Sequence, residues 1–387
     1  MKKVLFVATV VKTHIMPFHI PYLEWFKRKG YEVHVCARND YENREDCVIP
    51  YCDHFHEIPF SRSPFKPNNL LSYLKLKRIM DRNDYEIIHC HTPMGGVLGR
   101  LAGRKAHRRG TKMVYTAHGF HFFKGAKWIN WKLYYPIEKY LAHLTDCLIT
   151  INQEDYRNAV NRGFKAKKIV YVPGVGVDFN RFTWQTPDKK AGLRRQYGFE
   201  DEAFILVYAG EFTYRKHQDL LIKAANELKS QIPKLVILLA GRGQLQSEYE
   251  KMIADLGVDD QVKILGFRDD VDKLMLLADV AVSASRQEGL PVNVMEAMAT
   301  ALPLVVTDCR GNRDLVTDGE NGYVCDIDDV DCFVTAIENL HASSDLCRQF
   351  GLQNLSRVQQ YSLAVIVDSM EKVYLDCLMG QDDQGLK

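Results

Sequence analysis

The chain has no apolar stretch approaching the roughly 18 residues of a membrane-spanning helix, so no spanning segment is expected. Its ten cysteines include no CxxC pair and no metal-ligand spacing; the nearest neighbours, Cys47 and Cys52, are separated by "VIPY". They read as reduced core residues of a cytosolic protein, with neither a disulfide framework nor a zinc site expected. Nothing like G-x-G-x-x-G follows the first apolar run, which argues against a dinucleotide dehydrogenase. The D-x-D at Asp326 to Asp329, "DIDD", reads as a loop, and no metal site is expected there. No repeat of 20–50 residues and no low-complexity tract breaks the chain. The N-terminal "MKKVLFVATVVK" imitates a signal peptide, but its apolar run ends at Lys12 without a small-residue cleavage pattern, and a first buried strand is the expectation.

What is present points to a soluble two-domain protein. At 387 residues, with 46% hydrophobic and 26% charged, the chain exceeds what one core usually serves. The net charge of +2 hides a division: residues 1–190 carry 32 Lys+Arg against 17 Asp+Glu (+15), and residues 191–387 carry 19 against 32 (−13). A basic half suits an anionic partner, whether nucleic acid, a membrane surface or a phosphorylated substrate.

Short β-rich runs alternate with helix-length segments: "VLFVATV", "YEVHVCA", "YEIIHCHT", "KMVYTAHG", "DCLITIN" and "KIVYVPG" in the first half. After "TWQTPDKKAGLRRQYG" the rhythm restarts with "FILVYAGE", "KLVILLAG", "VKILGF", "VAVSAS" and "PLVVTD". This is the pattern of two α/β, doubly wound parallel-sheet domains, at 1–180 and 190–364, with a C-terminal helix near 365–387 expected to join the first. Two such domains would face each other across a ligand cleft.

In "SRQEGLPVNVMEAMATALPLVVTDCRGNRD", Pro291 suits a first helical turn, and the amides of Gly289 and Leu290 suit a phosphate at the helix start. Glu296 lies five residues beyond Pro291, on the order of 7.5 Å along the axis, about the reach from a diphosphate to its ribose. Its carboxylate can accept two hydrogen bonds from a vicinal diol, and Glu288 can hold donor-sugar hydroxyls on the other side. The same spacing also fits a surface helix with incidental glutamates. Arg215 and Lys216 in "GEFTYRKHQDLL" are cations in an acidic half and read, with the turn, as a diphosphate clamp. Gly241 and Gly243 in "LLAGRGQ" allow a close backbone approach or simply make a turn. His118 in "YTAHGFHFFKG" ends a strand and enters the expected cleft, or is a structural histidine. The following aromatics and Lys124, Lys127, Lys132 and Lys139 suit an anionic membrane interface, single-stranded nucleic acid, or an ordinary helix with a solvated face.

Together these segments resemble the retaining glycosyltransferases of family 4. "EGLPVNVME" resembles that family's E-x7-E signature, "AMATALPLVVTDCRGNRDLVTDGENGYV" its continuation, and the likeness covers nearly the whole chain. "HCHTPMGGVLGRLAGR", "YTAHGFHFFKGAKWINWKLYYPIEKY" and "DCLITINQEDY" are similar to the branch that builds bacterial exopolysaccharide, capsule and O-antigen units on a polyprenyl-diphosphate carrier. The resemblance implies the GT-B fold of two Rossmann-like domains. It implies Glu288 at the donor sugar, Gly289 to Pro291 at sugar and phosphate, Glu296 at ribose, Lys216 at the leaving diphosphate, and backbone near Phe267 and Arg268 against the base. His118 is implied at donor sugar and acceptor. The loop bearing His14 and His19, and the segment with Phe120, His121 and Lys124, would shape the acceptor side. Two positions depart from the pattern: Glu211 stands where many members have arginine, with Arg215 the candidate substitute, and "TVVKTHIMPFH" lacks the first loop's usual glycines.

The expectation is therefore a metal-independent hexosyltransferase without cofactor. It would move a hexose or N-acetylhexosamine from a nucleoside diphosphate sugar, with uridine the base the resemblance implies, to a polyprenyl-diphosphate-linked saccharide. It would sit in the cytoplasm, peripheral on the inner face of an anionic membrane, with no nucleic acid partner. The competing readings are a sugar-nucleotide epimerase on a similar scaffold and a non-catalytic binder of membrane or nucleic acid.

Overall fold

The computed structural model describes residues 1–61 and 63–379. Two compact units emerge: one from the chain up to Val175 together with the segment from Ile366 onward, the other from Gly176 to Val365.

The first unit carries a seven-stranded sheet: β1 (Lys3–Val10), β2 (Glu32–Arg38), β3 (His54–Glu57), β4 (Ile87–His91), β5 (Lys112–Ala117), β6 (Cys147–Thr150) and β7 (Lys168–Tyr171). Their order is β3-β2-β1-β4-β5-β6-β7, and every pair is parallel. The second unit has six parallel strands: β8 (Phe204–Ala209), β9 (Leu235–Ala240), β10 (Val262–Gly266), β11 (Val280–Ser283), β12 (Leu304–Thr307) and β13 (Gly322–Cys325), ordered β10-β9-β8-β11-β12-β13. Both are doubly wound α/β sheets, as the alternating rhythm predicts, and the expected first strand is β1, buried from Val4 to Val10.

The central strands are apolar on both faces because helices cover both sides of a parallel sheet. In the first unit, Phe6, Val33, Val35, Ile87 and Val114 form one buried layer with Leu23 and Phe26 of the helix Ile20–Arg28. Ile366, Met370, Val373 and Tyr374 of the final helix, Leu363–Met379, belong to the same layer. That helix was expected near 365–387; residues 380–387 lie outside the described part.

In each sheet the chain winds one way from its first strand and then restarts on that strand's other side. The topological switch points are thus β1/β4 and β8/β11, and ligands of open α/β sheets bind beyond the carboxyl ends of strands at such points.

One expectation about cysteine is overturned. Cys325, at the end of β13, and Cys332, in the first turn of the helix Val330–Ala342, form a disulfide with Cα atoms 5.7 Å apart. The tight turn at Asp326–Asp329 folds the seven-residue separation back on itself, a proximity that spacing alone does not reveal. The other eight cysteines are free.

Candidate functional site

In the second unit, the loops after β8 and β11 bring the conjectured clamp together. Lys216 reaches Glu288 at 2.5 Å, and Arg215 lies 3.6 Å from its other carboxylate oxygen. The main-chain N–H of Arg286 donates to the carbonyl of Arg215 at 2.8 Å, tying the two loops directly. Immediately after Lys216, His217 adopts a left-handed backbone (φ 56°), so the turn is sharp and the lysine is fixed at its apex. Glu288 is buried; burial opposes its charge, but Lys216, Arg215 and a 2.6 Å hydrogen bond from Ser285 outweigh it and hold the carboxyl below its ordinary range. A buried carboxylate is thus kept ionised beside two cations.

Several members of this arrangement were not legible beforehand. Ser285 is itself joined to the Tyr208 hydroxyl at 2.7 Å, and Arg310 Nε donates to the Glu288 carbonyl at 2.9 Å. Gly311 packs on the turn so closely that a Cβ there would stand 2.5 Å from the Gly289 carbonyl oxygen. The signal lay in "CRGNRD", a polar and glycine-bearing stretch directly after a buried strand.

The helix that follows runs Val292–Ala299, so Pro291 caps it instead of occupying its first turn: its φ of −75° fits either place, but its ψ of 117° is extended. Leu290 and Pro291 are buried, which fixes the Gly-Leu-Pro turn against the unit's core. Glu296 sits on this helix, half-buried, and is pushed up to about 7, chiefly by burial and further by Asp272, with Arg181 opposing. Gly241 and Gly243 have a requirement inside the chain: a Cβ would lie 1.9 Å from the Gly210 carbonyl oxygen at the first and 2.2 Å from the Phe212 carbonyl oxygen at the second. The Gly241 N–H donates to the Gly266 carbonyl at 2.8 Å, linking the ends of β9 and β10, and the Gly210 N–H donates to the Ala240 carbonyl at 2.9 Å, linking β8 to β9. Phe267 is exposed, while the Arg268 guanidinium is engaged by Asp270 at 2.5 and 2.7 Å. Glu211 points to solvent.

In the first unit, β1 runs without a glycine into a single π-helical turn, Val11–Ile15, which buries His14 and leads to His19. His91 ends β4 and His118 follows β5, so all four rings gather at the β1/β4 switch point. His19 and His91 have centroids 3.8 Å apart, His14 and His118 4.7 Å, and His91 Nδ1 is 3.3 Å from His118 Nε2. Thr92, next to His91, takes φ 61° and is held through its hydroxyl by Thr9. Burial lowers His14, His19 and His91 well below the ordinary histidine range, and His118 to about 4.

Phe120 is buried against Phe122 and Phe164, and its N–H donates to Asp155. His121 stacks on Tyr134 at 4.4 Å, and Lys124 is exposed with its N–H donating to Glu154. Phe120 and His121 line a cavity of 560 Å³ whose other walls include Leu70, Met94, Leu98 and Ile137. Its walls are overwhelmingly apolar. Phe65, Leu70, Trp128 and Tyr140 are exposed on the same unit. Among the described residues, no helix is long and apolar enough to cross a membrane.

Each of the two doubly wound sheets thus carries charged or imidazole side chains at its switch point. The model of "Glycosyl transferases group 1" matches residues 189–355 and that of "Glycosyltransferase Family 4" residues 22–181. EpsD of Bacillus subtilis strain 168, which carries the name of a glycosyltransferase, is 45% identical over 373 residues, 96% of each chain. An Escherichia coli UDP-Gal:alpha-D-GlcNAc-diphosphoundecaprenol alpha-1,3-galactosyltransferase is 27% identical over 326 residues, 81% of each. Among solved structures, Anabaena HepE in complex with UDP and glucose superposes with a TM-score of 0.78 at 20% identity, covering 97% of this chain and 100% of that one. The chain belongs to the family-4 glycosyltransferases of GT-B fold.

Proposed function

We propose that the protein transfers a hexose or N-acetylhexosamine from a UDP-linked sugar, with retention at the anomeric carbon, to a polyprenyl-diphosphate-linked glycan during bacterial surface-polysaccharide synthesis. The observation that carries this reading is the ion-paired group Lys216, Arg215 and Glu288 at the β8/β11 switch point. The donor diphosphate takes the cations, Glu288 accepts hydrogen bonds from the sugar hydroxyls, and Glu296 accepts them from the ribose diol. Gly289 to Pro291 line sugar and phosphate, and Gly241 and the backbone at Phe267 and Arg268 lie on the nucleotide side. The anomeric carbon–oxygen bond to the diphosphate breaks and the acceptor oxygen bonds to the same face. The departing phosphate oxygen takes the acceptor proton. The protein's contribution is electrostatic: Lys216 and Arg215 receive the charge that develops on the leaving group.

No hard cation is required at the diphosphate in this reading. Two carboxylates of the "DIDD" stretch have other work: Asp328 pairs with Arg286 and His217, and Asp329 caps a helix by accepting from the Cys332 N–H. On the acceptor side, His14, His19, His118, Phe120, His121 and Lys124 serve the saccharide and its carrier. The apolar cavity beside His121 suits the first isoprene units of a lipid carrier, the kind of acceptor named for the E. coli relative. Exposed Trp128 and Phe65 with Lys66, Lys127 and Lys132 suit peripheral contact with anionic lipid on the cytoplasmic face.

Retention is tested by NMR of the disaccharide formed from an α-linked UDP-sugar. An α-glycoside is expected, and a β-glycoside would overturn the proposed displacement. Conversion of the donor to an epimer without acceptor would favour the epimerase reading.

A further inference from the structure

The histidines at the β1/β4 switch point form a layer more concentrated than binding a saccharide requires. His14, His19, His91 and His118 each offer one ring nitrogen, and these four atoms lie within 4.8 Å of one another. Three of the rings are buried, and their polar atoms are not all satisfied: His14 Nε2, both nitrogens of His19, and His91 Nε2 have no hydrogen-bond partner. A buried polar atom without a partner is destabilising, and here four stand together. They are strung on the π-helical turn after β1, on the cap of the helix Ile20–Arg28, on β4 and after β5, so the fold itself assembles the group.

We infer that His14, His19, His91 and His118 form a binding site for one divalent transition-metal ion of the zinc type. Imidazole nitrogen is a preferred ligand for zinc, copper, iron and nickel, whereas magnesium and calcium take oxygen. Four nitrogens at about 2.0–2.1 Å around a tetrahedral ion stand about 3.4 Å from one another. The present spacing, within 4.8 Å, closes by side-chain rotation; the unpartnered nitrogens of His14, His19 and His91 surrender no hydrogen bond in it, and the 3.3 Å contact between His118 Nε2 and His91 Nδ1 is the one exchanged for the ion. Burial favours the neutral ring, the form that carries a free lone pair. Behind this group, His89 is fixed at both nitrogens, by the Tyr374 hydroxyl and the Thr116 hydroxyl at 2.8 Å each, so it is a packing partner of the layer and not a ligand.

A second group, Glu32, His34 and His54, also places ligand atoms close together. Its polar atoms are already committed: Glu32 pairs with Lys3 at 3.4 Å and accepts from His34 Nε2–H at 2.8 Å, while His34 Nδ1 accepts from the Tyr85 hydroxyl at 2.8 Å. It serves as the internal control.

The inference concerns the acceptor side of the proposed reaction, where the ion would occupy imidazoles assigned to the saccharide, while the donor diphosphate stays with Lys216 and Arg215. The test is titration of the chelator-stripped full chain with Zn²⁺ against a chromophoric competitor, together with the visible spectrum of the Co²⁺-loaded protein. One equivalent bound, with the intense d–d bands of a four-coordinate ion, is expected. Binding should fall at least tenfold in His19→Ala and in His91→Ala and stay unchanged in His54→Ala. No binding by the wild type, weak octahedral Co²⁺ bands, or loss confined to His54→Ala overturns the assignment. Should the alanine variants fail to fold, zinc-edge X-ray absorption of the wild type decides: four imidazole nitrogens support the site, and a carboxylate–imidazole mixture places the ion at Glu32 and overturns it.

Discussion

At the residue scale, Lys216 is the group whose removal speaks most directly to chemistry. A preorganised donor to developing negative charge is typically worth about 3 kcal/mol, or about two orders of magnitude in rate. Lys216→Ala is expected to lower kcat by about that factor, measured as nucleotide release at saturating donor; near-normal turnover would remove Lys216 from the leaving-group site. Glu296 offers a titration. Held at about 7 by burial, it is protonated in the free protein below neutrality, and a ribose diol is better served by the carboxylate. Donor binding should therefore release a proton, and KM for the donor should fall as pH rises from 6 to 8. Glu296→Gln should flatten that profile, while an unchanged slope would assign it to another group. The linkage to folding has the opposite sense: a carboxyl whose folded pKa is raised stabilises the fold below its unfolded pKa, and that contribution is lost as pH climbs through about 7.

At the element scale, the second unit's loops after β8 and β9 interlock through glycines. A methyl at Gly243 would meet the Phe212 backbone at 2.2 Å, and backbone cannot swing aside as a side chain can. Gly243→Ala should destabilise the protein by about 1–3 kcal/mol in denaturant titration and weaken UDP binding together with it; unchanged stability would mean that the loops are not interlocked as described. Strand legibility followed burial. The interior strands β1, β4, β8 and β9 announce themselves as apolar runs, whereas the edge strands β3 ("HFHE") and β13 ("GYVC") are four residues long and partly exposed, so no periodicity marks them. Pro291 fell one residue from its expected place because a proline satisfies the φ of the cap and of the first turn alike.

At the scale of the whole molecule, the division of charge matches the division of labour proposed for the two units. The basic half, with exposed aromatics, should bind vesicles containing anionic lipid, and that binding should weaken as salt shortens the screening length. Salt-insensitive sedimentation with vesicles would contradict an electrostatic contribution. That Lys216 and Arg215 meet the Glu288 turn was legible because loops following neighbouring parallel strands share one end of the sheet. Of the histidine layer, His14, His19 and His118 were named one by one, but His91 and their meeting were not legible: His14, His91 and His118 belong to separate segments, and only the sheet order brings them together. The Cys325–Cys332 bond escaped for the related reason that a turn, not a motif, makes it.

The central claim is acceptor-dependent transfer from a nucleotide sugar without a hard metal at the diphosphate. The decisive measurement is nucleoside diphosphate release by the purified protein, in chelator, across UDP- and GDP-sugars, with and without a polyprenyl-diphosphate-linked saccharide. The account predicts release from one UDP-sugar only when the lipid-linked acceptor is present. Activity abolished by the chelator and restored by magnesium, or no release and no nucleotide binding with any donor, would contradict it.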